Sequence, residues 1–200
     1  MLEFSNDSRD VMELAISLPL DGHTGSSLRN LLNLLYSRGP MLSKAMGMDI
    51  GIDKELLYIL DAAPTPDSPK EFIEMVNRYA ARFGGIRGVH FSEDEIALTG
   101  FDEALDEVHI KAYTELTTRF NRMALTQKRI QAKEINNENA KYAMHIFLIR
   151  LGFTGPDFKQ ERKILMERLE GSQAFRTQAQ AEQAKIKALQ NRTARHTQEA

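Results

Sequence analysis

The 200-residue chain contains no cysteine. That absence removes a disulfide framework, a thiolate zinc site, an iron–sulfur cluster and a cysteine nucleophile together. No window approaches the roughly 18 to 20 uninterrupted apolar residues that a membrane span needs. The opening segment, MLEFSNDSRDVMELAISLPL, carries acids where a secretion signal carries a basic stretch, and Glu13, Ser17 and Pro19 interrupt its apolar run. The expectation is a cytoplasmic protein with no membrane partner. Apolar residues make up 42% and charged residues 27%, with 10 Phe, 5 Tyr and 9 Met. This is ordinary globular usage, far from that of disordered chains, and enough for one full-sized domain or two small ones.

A net charge of -2 conceals a split along the chain. Residues 1–110 hold 9 Lys/Arg against 19 Asp/Glu, a net -10, and residues 111–200 hold 17 against 9, a net +8. Either the two halves attract each other in the folded molecule, or they present faces of opposite sign to partners.

Periodicity predicts a mainly α fold: a helical bundle with a long central helix and one small β-hairpin. Leu14 to Leu18 can form a short strand ending at Pro19, followed by the turn formers of DGHTG. Ser26 or Ser27 then caps a helix whose apolar positions Leu28, Leu31, Leu32, Leu35 and Tyr36 follow the i, i+3, i+4, i+7, i+8 rule. Gly39-Pro40 ends it and opens a second short helix, Met41 to Gly47, so that the two form a helical hairpin. Asp53 caps a helix over Glu55 to Leu60, and Ser68-Pro69 starts another, to Phe83, that buries Phe72, Ile73, Val76 and Tyr79 or Ala80. Val89-His90-Phe91 and Glu95 to Leu98 alternate around an acidic turn as a β-hairpin.

From about Leu105 to about Ile135 there is no Gly or Pro. One long helix is expected there, with Tyr113, Leu116, Phe120, Met123 and Ile130 as its seam. Asn139 to Leu151 is apolar on nearly every face and is expected to be the buried hub, with Gly152 just beyond its end. A further helix from Pro156 buries Phe158, Ile164, Leu165 and Leu169 up to Gly171. The tail has only Ile186 and Leu189 as large apolar residues. Three segments follow: an acidic helical-hairpin region with the β-hairpin (1–104), a basic helical bundle module (105–176), and a polar helical or frayed tail (177–200).

Chemistry is hard to assemble. His23, His90, His109, His145 and His196 are scattered, with no second ligand at metal-binding spacing. His145 reads as a hydrogen-bonded core residue. DGHTG lacks the Walker spacing and its Gly-Lys-Ser/Thr ending, so it is a connecting loop. No catalytic residue, metal site or cofactor is assigned, and the chain is not expected to be an enzyme. The charges are more informative. At 100° per residue, Arg122, Arg129 and Lys133 fall within about 40° on the long helix, beside Arg119, and Lys159, Arg162 and Lys163 extend the basic surface. Several cations tracking a groove suit nucleic acid or an acidic partner. The acids Glu93, Asp94, Glu95, Asp102, Glu103, Asp106 and Glu107 could meet a basic partner, or complement a turn and a helix N-terminus.

The stretch Phe120 to Arg176 carries QKRIQAKE, then NENAKYA, then FLIRLGFTG, then RKILMERLEG and a closing AFR. In this order and spacing it resembles the C-terminal module of a family of small proteins from Firmicutes phages and conjugative elements, labelled only virulence-related. SLRNLLNLLYSRGPMLSKAMG is similar to that family's upstream helical hairpin. The resemblance implies a mobile-element context but no biochemical function or catalytic residues. In that context the expected role is an accessory protein that binds a host protein or nucleoprotein complex. The leading example is an anti-CRISPR inhibitor of Cas9 with its guide RNA, its acidic surface occupying a basic nucleic-acid channel. The alternative is a DNA-binding accessory protein of element transfer or replication.

Overall fold

A computed structural model describes residues 14–101, 105–134 and 139–198. The mainly helical class with a small antiparallel sheet holds. Strand β1 (Ile16–Pro19) is followed by α1 (Gly25–Met46), β2 (Gly51–Ile52), α2 (Lys54–Ala62) and α3 (Pro69–Phe83). Then come β3 (Ile86–Arg87), β4 (Val89–Phe91), β5 (Glu95–Leu98), α4 (Glu107–Thr126), α5 (Ala140–Arg150), α6 (Lys159–Glu167) and α7 (Gln178–Gln198). The expected β-hairpin is β4–β5, with Phe91 opposite Ile96 and Val89 opposite Leu98. The expected first strand adds to it, pairing Ile16 with Leu98 and Pro19 with Glu95, which makes the order β1-β5-β4. Alternation then turns Ile16, Leu18, Ile96 and Leu98 to one buried face. That face closes over α1 and α4, enclosing an apolar interior that Leu31, Leu35, Leu42, Met46, Leu116 and Phe120 also line.

The expected helical hairpin is replaced by one helix. α1 runs for 22 residues through Gly39-Pro40, and Gly47 at φ 63° ends it. An interior proline costs about 3 kcal/mol or more, but each large apolar side chain kept buried contributes about 1.5–3 kcal/mol. Met41, Leu42 and Met46 beyond the proline are all at most 3% exposed, and the ring of Pro40 itself faces solvent. Gly39 permits the close approach on the other side, since a Cβ there would stand 2.8 Å from the Ile50 carbonyl oxygen. Ser43 Oγ then donates to that carbonyl (2.9 Å) and accepts from the Ile50 N–H (3.0 Å). The cap is Thr24 rather than Ser26 or Ser27, and Ser27 closes the reciprocal capping box. Ser68 and Asn139 cap α3 and α5 through their side chains.

The long helix is also shorter than expected. α4 stops at Thr126, although 127–134 is rich in good helix formers. Those residues run instead as a strap along α1 without regular secondary structure. Asn30 Nδ2 donates to the Gln127 carbonyl (2.7 Å) and its Oδ1 accepts from Ile130 N–H (2.8 Å). Asn33 donates to the Ile130 carbonyl (2.8 Å), and Ser37 Oγ accepts from Lys133 N–H (3.0 Å). Asn30, Asn33 and Ser37, spaced i, i+3 and i+7, share one side of α1, and Leu28, Leu32 and Leu35 lie roughly opposite. Both sides are buried. α1 is therefore the centre of the molecule, packing against α4, α3, α6 and β2.

α5 is not the hub. It buries Ala140, Met144, Phe147 and Leu148 towards α6 and Phe120, while Ile149 is 44% exposed. His145 is half-buried and its Nδ1 makes no hydrogen bond, contrary to the expectation of a hydrogen-bonded core residue. α6 starts at Lys159, three residues after Pro156, and buries Ile164, Leu165 and, just past its end, Leu169. The tail is helical, with Ile186 and Leu189 exposed. No helix among the described residues is long and apolar enough to cross a membrane.

Replacing Asn30 by Ala strands two backbone groups of the strap and is expected to cost about 1–3 kcal/mol. Chemical denaturation should read that loss, and limited trypsinolysis should cut faster at Lys128 and Arg129. Unchanged stability and cleavage would mean that the stripe does not hold the strap.

Candidate nucleic-acid interface

The basic stripe expected on one helical face is divided between two kinds of backbone. Arg122 is exposed on the last turns of α4, whereas Arg129 and Lys133 lie on the non-helical strap, so helical phase does not relate them. Two of the other candidates serve the fold. Arg119 Nη1 donates to the Leu151 (3.1 Å) and Gly152 (3.3 Å) carbonyls at the end of α5, and its Nε pairs with Glu115. Its guanidinium also lies over Phe153 and Phe158, 5.0 and 4.5 Å from their centroids. Arg162 donates to the Phe153 (3.0 Å) and Gly155 (2.9 Å) carbonyls. A guanidinium is suited to such work because its planar fork reaches two acceptors at once. Lys159 and Lys163 are exposed on α6 and line a shallow groove with Lys141, apart from the strap.

The acids divide similarly. Glu93 pairs with Lys70 at 3.2 Å, and Asp94 and Glu95 are exposed at the β4–β5 turn. Asp106 is the N-cap of α4, its Oδ1 accepting from the His109 N–H at 2.8 Å, and Glu107 lies in the first turn. Asp102 and Glu103 lie outside the described residues.

The structure brings together cations that sequence spacing cannot connect. A groove between the N-terminal half of α1 and the strap is lined by Arg29, Asp61, Lys128, Arg129 and Lys133. Lys133 also borders the adjoining pocket, which Arg38, Arg150 and Arg176 share with Glu134 and Tyr142. Arg29 is committed, its guanidinium bonded to Asp61, the Leu60 carbonyl and Thr65. Glu134 accepts the Tyr36 hydroxyl. Lys128, Arg129, Lys133, Arg150 and Arg176 are exposed, and among the described residues none pairs with a carboxylate. Arg38 is half-buried on the face of Phe147, 4.7 Å from its centroid. Burial, then the like charge of Arg150, pushes its pKa down to about 10, so it remains charged near neutrality. Arg38, Arg150 and Arg176 were missed by sequence reasoning because 112 and 26 residues separate them; only the fold supplies their adjacency.

The charge split is not consumed in joining the two halves. Among the described residues, His109–Glu167 is the ion pair that crosses the division after residue 110, while the others stay within one half. The halves meet instead through the apolar contacts of α1 with α4 and α6 and through uncharged hydrogen bonds such as those of α1 to the strap.

One constellation superficially suggests catalysis. His23 Nδ1 lies 2.9 Å from Ser27 Oγ, and its Nε2 lies 3.0 Å from Asn121 Oδ1. All three residues are buried, and the serine hydroxyl is already bonded to the Thr24 backbone N–H and carbonyl. They tie the DGHTG loop to α1 and α4. No group of three or more His, Asp or Glu among the described residues could hold a metal ion. No family model, curated protein or solved structure matches the chain.

His109 sits between Asp106 (2.6 Å) and Glu167 (2.8 Å) and joins the start of α4 to the end of α6. Hydrogen bonds to Asp106, then to Glu167, raise its pKa above the usual 6.5. Its contribution to stability is full below the unfolded value and is lost as the pH rises through the folded one. Burial lowers the pKa of His23, which gives the opposite sign: stability falls as the pH drops below about 6.5. His109→Asn is therefore expected to flatten the alkaline side of the stability profile, and His23→Gln the acid side. Thermal melts across that range test both, and parallel profiles for parent and variants would refute the assignment.

Proposed function

We propose that the chain is a non-enzymatic accessory protein of a bacterial mobile element that binds a host nucleoprotein machine, with its basic edge on the sugar–phosphate backbone. One observation carries this reading: Lys128, Arg129, Lys133, Arg150 and Arg176 gather around adjoining grooves and, among the described residues, have no carboxylate partners. Unpaired cations release condensed counterions when they meet phosphates, which favours binding irrespective of base sequence. The strap suits this role, because its backbone is held by α1 while the long side chains of Lys128, Arg129 and Lys133 are exposed to follow a strand.

The machine proposed is a type II CRISPR nuclease, Cas9 with its guide RNA, which fits the mobile-element resemblance of Phe120 to Arg176. The basic edge would grip exposed guide or target backbone, and the exposed Glu93-Asp94-Glu95 turn would face the protein's basic channel. Contact through the 102–107 acids is less favoured, since Asp106 is already engaged in capping α4. If naked DNA alone suffices for binding, the protein instead serves element transfer or replication.

Expression of the protein is expected to protect a phage from restriction by a Firmicutes type II system, and Lys128→Glu with Arg129→Glu and Lys133→Glu should abolish that protection. Full restriction across a panel of Cas9 orthologues would overturn the nuclease target. In gel shifts the parent should retain nucleic acid with a log–log salt slope of roughly -4 if five phosphates are contacted. The triple reversal should remove retention; binding insensitive to salt would eliminate the backbone reading.

A further inference from the structure

Within the basic edge, the pocket of Arg38, Lys133, Arg150 and Arg176 differs from a simple charged surface. Arg38 is half-buried, and the Phe147 ring occupies one face of its guanidinium. Stacking of this kind orients a planar cation and leaves the N–H donors at its edge. Among the described residues no acceptor meets those donors. Arg150 and Arg176 are exposed at the same rim with Lys133 beside them, and Tyr142 adds a hydroxyl-bearing wall. The acid at this rim, Glu134, is bonded to the Tyr36 hydroxyl. Among the described residues, three guanidinium groups and an ammonium surround one apolar-floored pocket against a single engaged carboxylate, an excess of positive charge that an entering anion would neutralise.

We infer that this pocket binds a phosphate monoester, with Arg38 as its oriented anchor and Arg150, Arg176 and Lys133 around it. Charge and geometry both favour a monoester over the diester of a continuous backbone. A diester brings one negative charge, whereas a monoester brings nearly two near neutral pH, together with three terminal oxygens that can accept forked guanidinium donors. The same chemistry is found on the phosphorylated end of a nucleic-acid strand and on a free mononucleotide. The inference refines the proposed function at the same edge, and it rests on that reading only for the strand-end source.

The test uses fluorescence anisotropy with the full chain and three probes: a labelled single-stranded oligonucleotide bearing a 5′-phosphate, its 5′-hydroxyl counterpart, and a nucleoside monophosphate used both labelled, as a direct ligand, and unlabelled, as a competitor. The phosphorylated end is expected to bind about tenfold more tightly than the hydroxyl end, as one lost set of charge-assisted hydrogen bonds implies. Arg38→Gln should erase that preference. Because Arg38 also packs on Phe147, the exposed pair Arg150→Gln and Arg176→Gln provides a second variant, expected to erase the preference with an unchanged thermal melt. Binding of the monophosphate but of neither oligonucleotide, lost in both variants, would support the pocket with a free nucleotide as its ligand and would defeat the nucleic-acid reading. Equal binding of both oligonucleotides without competition would overturn the monoester site while leaving backbone binding intact. A preference that survives in both variants would overturn the location.

Discussion

The pairing of α1's polar side with the backbone of residues 127–133 is the constraint on which the rest of the molecule depends. A helix interior satisfies its own backbone groups, so a second buried stripe must find partners elsewhere. Asn30, Asn33 and Ser37 find them in the strap, which therefore cannot continue α4 as a helix. This exchange of local for tertiary hydrogen bonds places Arg129 and Lys133 along α1 and brings Lys133 to the pocket of Arg38. The long helix that local propensity favours would have carried them away along the α4 axis.

The arginines show how one residue type serves two ends. Arg119 and Arg162 each reach two carbonyls where the chain turns after α5, and Arg29 holds the end of α2 through the Leu60 carbonyl and Asp61. These contacts commit their guanidinium groups to the fold, although Arg29 Nε is buried without a hydrogen-bond partner. Among the described residues, Arg150 and Arg176 meet no such acceptors, and Arg38 is stacked but not hydrogen-bonded. Basic character in the second half of the chain is thus partly structural, and the fraction available to a partner is concentrated at the strap and the C-terminal end of α5.

Charge opposition between the halves is similarly indirect. Apolar surface from α1, α4 and α6 and the amide hydrogen bonds from α1 to the strap join them, and neither depends on the sign of the surrounding charges. The acidic and basic surfaces consequently remain exposed to solvent and to partners. Among the described residues His109 is the exception, spanning the division between Asp106 and Glu167.

The sequence by itself determined the elements whose signals are local. The proline-started α3, the β4–β5 hairpin, the Gly47 stop and the Asn139 cap follow from turn chemistry and short-range periodicity, which act within a few residues. Tertiary structure alone decided three other matters. It kept α1 continuous through Gly39-Pro40, because the burial of Met41, Leu42 and Met46 offsets the lost hydrogen bond. It ended α4 at Thr126, because buried amide side chains 97 to 100 residues away in sequence compete for the backbone. It also gathered Arg38, Lys133, Arg150 and Arg176, because proximity between distant residues is a property of packing, and no periodicity along the chain encodes it.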